Sequence, residues 1–111
     1  MLNKVILMGR LTRDPELRNT DKNTAVCNFT LAVNRDYSPS GETPQTDFID
    51  IITWTKTAEF VSKYFTKGQL VAVTGRLQTR NWEDKQGNKR VAVEVNAEEV
   101  HFAEPKKKTE G

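Results

Sequence analysis

Two tryptophans, a phenylalanine and a scatter of cations carry the chemistry this sequence can offer. Arg76, Arg80 and Trp82 fall at the even positions of one alternating run whose odd positions include Val71, Val73 and Leu77. Residues two apart on a strand share a face, so this tryptophan stands away from the core beside two guanidinium groups. Phe48 and Trp54 repeat the pattern on an earlier run, separated by about 20 Å of strand at ~3.3 Å per residue, with Lys56 following directly. Tyr37 is a fourth aromatic outside any core register. Rings interleaved with cations can stack nucleobases and neutralise the phosphates of a single strand.

Catalysis lacks its ingredients. His101 is the only histidine and Cys27 the only cysteine, so neither has a partner at nucleophile or metal-ligand spacing. Asp47 and Asp50 differ in strand parity and point to opposite faces, which prevents them from sharing a proton. Six scattered glycines form no phosphate-cradling loop. No enzyme activity, metal or cofactor is therefore expected. Cys27 reads as a core residue.

The elements that must position these residues follow from periodicity. Lys4 to Leu11 is apolar on both faces, with Val5, Leu7 and Leu11 on one and Ile6 and Met8 on the other. Such a strand needs cover beyond one core. Asp14-Pro15 turns the chain, and a second run sets Cys27, Phe29, Leu31 and Val33 against Asn28, Thr30, Ala32 and Asn34. Two prolines and a glycine between Asp36 and Gln45 mark a hairpin tip. The third run, Asp47 to Thr55, alternates Ile49 and Ile51 with Phe48, Asp50, Ile52 and Trp54. Then the period lengthens: Ala58, Val61 and Phe65 recur at helical spacing, with Gly68 at a C′ position and Lys63 and Lys67 near the C-terminus. The fourth run follows, and after the turn Lys85-Gln86-Gly87-Asn88 a fifth begins with Val91, Val93 and Val95. The fold class is all-β with one short helix. Three strands, a helix and two strands make a five-stranded Greek-key barrel of the OB type, which binds oligonucleotides or oligosaccharides across one face.

At 111 residues there is room for one core, placed at residues 1–104, with a short polar tail at 105–111. The longest apolar run is four residues against roughly 20 for a bilayer span, and no signal-like segment opens the chain, so a cytoplasmic protein is expected. Net charge is only +2, from 17 basic and 15 acidic residues, so the distribution of charge must carry any nucleic-acid argument. Protein docking would use the same aromatics and arginines, and RNA offers the same stacking faces plus a 2′-OH.

The segment from Leu2 to Leu11, followed by Asp14-Pro15-Glu16, Phe29-Thr30-Leu31-Ala32-Val33, Lys67-Gly68 and the run from Gly75 to Trp82, closely resembles the DNA-binding domain of bacterial single-stranded DNA-binding proteins. The resemblance spans about residues 1 to 104. It implies sequence-tolerant binding of single-stranded DNA (ssDNA), with protection of the strand in replication, recombination and repair, in a bacterial or phage setting on the nucleoid. Stacking aromatics of that family fall on Tyr37, Phe48, Trp54 and Trp82, and cations lining its DNA path on Lys56, Lys67 and Arg80. Phe48 and Tyr37 stand where several relatives carry Trp, which reduces stacking area, and Asp50 and Asn81 occupy positions that can be basic. Relatives pair their first strand across a dimer axis, so a homotetramer built from dimers is expected. The family usually continues into an acidic tip ending in Phe that recruits enzymes; this sequence ends Lys106-Lys107-Lys108-Thr109-Glu110-Gly111, so recruitment by that route is expected to be absent.

Overall fold

The computed structural model describes residues 1–36 and 40–104, so Tyr37 and the 105–111 tail lie outside the described residues. The chain runs β1 (Val5–Leu11), β2 (Glu16–Asn19), β3 (Ala25–Asn34), β4 (Thr46–Trp54), α1 (Thr55–Tyr64), β5 (Leu70–Glu83) and β6 (Lys89–Phe102). Sheet neighbours run β1-β5-β6-β4-β3, and β1 closes the ring by setting Arg10 opposite Ala32 and Leu11 opposite Leu31 in β3. The β4–β6 pairing is parallel, and the others are antiparallel. This is the barrel that the alternation predicts, with its helix between the third and fourth barrel strands, here β4 and β5.

Alternation fails where no residue is buried. β2 is a sixth strand that the periodicity misses, since Glu16, Leu17, Arg18 and Asn19 are all exposed and pair only with β3. An edge strand without a core face leaves no apolar alternation to read. β4 also ends one residue early. Thr55 has φ of 53°, a left-handed conformation rarely entered by β-branched residues, and there the chain turns from strand into helix. Gly68 is not the helix C′ residue. The helix stops at Tyr64 with Phe65 extended, and Gly68, at φ of 87°, instead donates its N–H to the Leu11 carbonyl at 2.8 Å.

The core lies inside the ring and under the helix. Phe29, Leu31, Ile51, Val71, Val73 and Val95 are fully buried, as are Ala58 and Val61 from the inner stripe of α1. Cys27 belongs to this core, and burial pushes its thiol up to about 11, which keeps it protonated and inert at neutral pH. Two strands cross at spacings that only glycine permits. A Cβ at Gly9 would overlap the Ala32 carbonyl where β1 leaves β5 for β3, and one at Gly75 would overlap the Asn96 carbonyl. Beside Gly75 the register of β5 on β6 shifts, Thr74 facing Glu99 while Gly75 faces Ala97, so Glu98 forms a bulge that bends the sheet into a ring.

Beyond the bulge, β5 and β6 continue past the barrel as a hairpin arm. Leu77, Val91 and Val93 are exposed there, although their alternation reads as a core face. The arm is closed by Asp84, whose Oδ1 accepts the N–H groups of Gln86 and Asn88, both at 2.9 Å. The Asn88 N–H, helped by that of Gln86 and the Arg90 guanidinium, holds the Asp84 carboxyl below the usual carboxylate range.

Candidate nucleic-acid interface

Register alone brings the separated candidates onto one surface. Ile52 on β4 lies opposite Asn28 on β3 and opposite Asn96 on β6, and Asn96 lies opposite Arg76 on β5. These four residues form one row across four strands. Directly opposed residues share a face, so the even residues of β3, β4, β5 and this part of β6 lie on one outer side of the sheet, where Val26, Ile52 and Glu94 are covered by their neighbours. Phe48, Trp54, Arg76, Arg80 and Trp82 belong to that surface. Phe48 is 68% exposed, Trp54 36% and Trp82 45%, so each presents part of its ring to solvent.

Each ring has a different seat. Trp54 ends β4 opposite Val26, which is only 1% exposed, so this ring rests partly on an apolar floor. Phe48 faces the small Ala32 and is covered least. Trp82 sits near the end of the arm opposite Arg90. Between Phe48 and Trp54, Asp50 accepts a hydrogen bond from the Thr30 hydroxyl at 3.0 Å, which ties the one carboxylate in this stretch to the sheet. Asp47 has the opposite parity, stays partly exposed and is used otherwise: Arg35 donates to both its oxygens at 3.0 Å, clamping the base of the β3–β4 loop and holding the Asp47 carboxyl low.

The cations are not equivalent. Arg80 Nε lies 3.4 Å from Oε1 of Glu94, whose side chain is nearly buried and also accepts from Gln78 Nε2 at 3.3 Å. The sequence reading of Arg80 as a phosphate-contacting cation did not include this partner. The signal was present in the hairpin: a turn at 84–88 sets Glu83 opposite Lys89, and counting back sets Gln78 opposite Glu94. Arg76 makes no ion pair with a described residue. Lys56 and Lys67 lie off the sheet. Lys56 is in the first turn of α1, two residues past Trp54, and Lys67 is in the α1–β5 turn, where its backbone N–H donates to Asp14 Oδ1 at 2.8 Å. Tyr37 lies outside the described residues. Five of the eight candidates thus share the sheet surface, and two stand beside the helix. No cluster of His, Cys, Asp and Glu suited to a metal occurs among the described residues.

Comparison of the whole chain with known proteins places it in a family. The model of the single-strand binding protein family matches residues 2–103. A single-stranded DNA-binding protein of Caldanaerobacter subterraneus subsp. tengcongensis is 58% identical over 107 residues, covering 96% of this chain and 71% of the relative. Single-stranded DNA-binding protein 1 of Staphylococcus aureus is 53% identical over 106 residues, with 96% and 68% covered. Single-stranded DNA-binding protein A of Bacillus subtilis is 52% identical over 106 residues; the match covers 96% of this chain and 62% of that protein, less than two-thirds of its length. The chain belongs to the single-strand binding protein family.

Proposed function

We propose that this chain binds single-stranded DNA without regard to sequence, by stacking bases on Phe48, Trp54, Trp82 and Tyr37 and neutralising phosphates with Arg76, Arg80, Lys56 and Lys67. It performs no chemistry on the strand. The observation that carries this reading is the placement of two exposed tryptophans and a phenylalanine on one sheet surface together with Arg76, which makes no ion pair with a described residue. Any base offers a π-face, so such a surface holds a strand regardless of sequence. Held this way a strand cannot pair, which suits protection of exposed DNA in replication, recombination and repair, in the cytoplasm on the nucleoid. Residues 1–104 form the binding unit. In a competition between oligo-dT, a duplex of equal length and oligo-U, the single-stranded DNA should win over the duplex by at least tenfold. Equal affinity for duplex would defeat the reading, and preference for RNA would transfer it to RNA.

The assembly we propose is a tetramer built from dimers. On β1, Ile6 is 72% and Met8 57% exposed on the outward face, a costly display for a lone protomer. The same strand pairs with β3 only at Arg10 and Leu11, so from Val5 to Gly9 its second edge has no partner among the described residues. An open edge beside an apolar face fits a second copy of this chain. Light scattering behind gel filtration should give four times the protomer mass without DNA. A protomer mass at micromolar concentration would contradict it.

A further inference from the structure

Helix α1 buries one stripe of side chains in the barrel core and leaves a second stripe partly open to solvent. Ala58 and Val61 are buried, with Phe65 just beyond, while Lys56, Phe60 and Lys63 recur at i+4 and i+3 along the opposite side with Tyr64 beside them. Phe60 and Tyr64 are about as exposed as Trp54. Their ring centroids lie 5.2 Å apart, and Lys63 Nζ stands 5.3 Å from the Tyr64 centroid. Behind them Phe65 and Phe102 hold Phe60 at 5.5 and 6.3 Å, so the rings are braced before any ligand arrives. Glu59 is the only acidic residue on the helix. Aromatics and lysines thus alternate along an outward stripe about 12 Å long at ~1.5 Å per residue. That stripe begins two residues past Trp54, and the turn that follows the helix carries Lys67.

We infer that the outer face of α1 is a second stretch of the ssDNA track, taking the nucleotides that leave Trp54. Phe60 and Tyr64 supply stacking faces, and Lys63 joins Lys56 in contacting phosphates. Two features favour DNA over a protein partner: the lysines complement a phosphate backbone, and the stripe is continuous with the sheet surface through Trp54 and Lys56. The inference rests on the reading of Trp54 as a stacking platform.

The test uses oligo-dT from about 4 to about 16 nucleotides, the range of site sizes for one such barrel. Replacing Phe60 and Tyr64 with Leu (F60L/Y64L) keeps apolar packing and removes the rings. The variant should bind the shortest oligonucleotides like the parent and lose about tenfold or more on the longest. Lys63→Ala, which disturbs no core contact, should lower the salt slope by roughly 0.7 on long oligonucleotides only. Parent-like binding at every length by both variants would overturn the inference, as would an equal loss at every length, which marks a structural support. A change in oligomer mass with DNA binding intact would make the stripe a protein contact and also overturn it. Trp82→Ala serves as the reference: if it too binds short oligonucleotides like the parent, the failure lies in the sheet surface and not in its extension over the helix.

Discussion

Replacing Trp54 and Trp82 together with Ala should weaken oligo-dT binding by roughly 2–6 kcal/mol, the sum of ~1–3 for each stacked base, or about thirtyfold at the least. The two rings sit on different strands, Trp54 at the end of β4 and Trp82 near the end of β5, which favours additivity. Stacking releases no counterions, so the slope of log K against log salt should stay at the parent value. Neither ring belongs to the core cluster, so the melting temperature should fall only modestly, and more from the loss of Trp54, which covers Val26, than from that of Trp82. Arginine variants should behave in the opposite way, and unequally. Arg76→Ala should flatten the slope by about 0.7, the full value for one phosphate of a single strand. Arg80→Ala should flatten it by less, because Glu94 already balances part of the Arg80 charge. A steep loss of slope in the tryptophan variant would mean that those rings position charges instead of stacking bases.

The second large effect is on folding. Phe29→Ala should cost about 3–5 kcal/mol of stability, since the ring is 1% exposed at the middle of β3 inside the closed barrel. β3 pairs with β4 along its length and with β2 and β1 on its other edge, so the walls around Phe29 are tied on both sides and cannot collapse into the cavity. A denaturation midpoint close to that of the parent would show that the barrel core lies elsewhere. The still-folded fraction should bind oligo-dT with parental affinity, because Phe29 faces away from the outer surface.

Core strands were legible in the sequence because a half-buried strand writes its environment in a two-residue period. Phe29 and Leu31 against Thr30 and Ala32 are an example, and so are Val71 and Val73 against Ala72 and Thr74. The helix was legible from Ala58, Val61 and Phe65 for the same reason at a longer period. What escaped lacked a buried face or depended on pairing between strands. β2 has four exposed residues and no apolar rhythm. Val91 and Val93 alternate like core residues, yet the arm carries them past the barrel, and period alone cannot tell an inner wall from an unpartnered outer one. The outward placement of Phe48, Trp54, Arg76, Arg80 and Trp82 came from parity. Their union on one surface depends on the parallel β4–β6 contact at Ile51–Val95 and Ile52–Asn96, which no local pattern encodes. Phe60 and Tyr64 carry no such signal, since a helical period does not distinguish an aromatic that packs from one that binds, and Phe60 does pack on Phe65 and on Tyr64.

The central claim is that bases lie on the tryptophans of the outer sheet surface, and the unmodified protein reports on this directly. Trp54 and Trp82 are its only two tryptophans, so titration with poly-dT, followed by their emission at two salt concentrations, reads the proposed surface and nothing else. Stacking should quench the emission to a saturable limit, with the same final quench at both salts and weaker affinity at the higher one. Binding of poly-dT, shown independently by a shift in its mobility, with tryptophan emission unchanged at saturation would place the strand elsewhere on the protein and contradict the account.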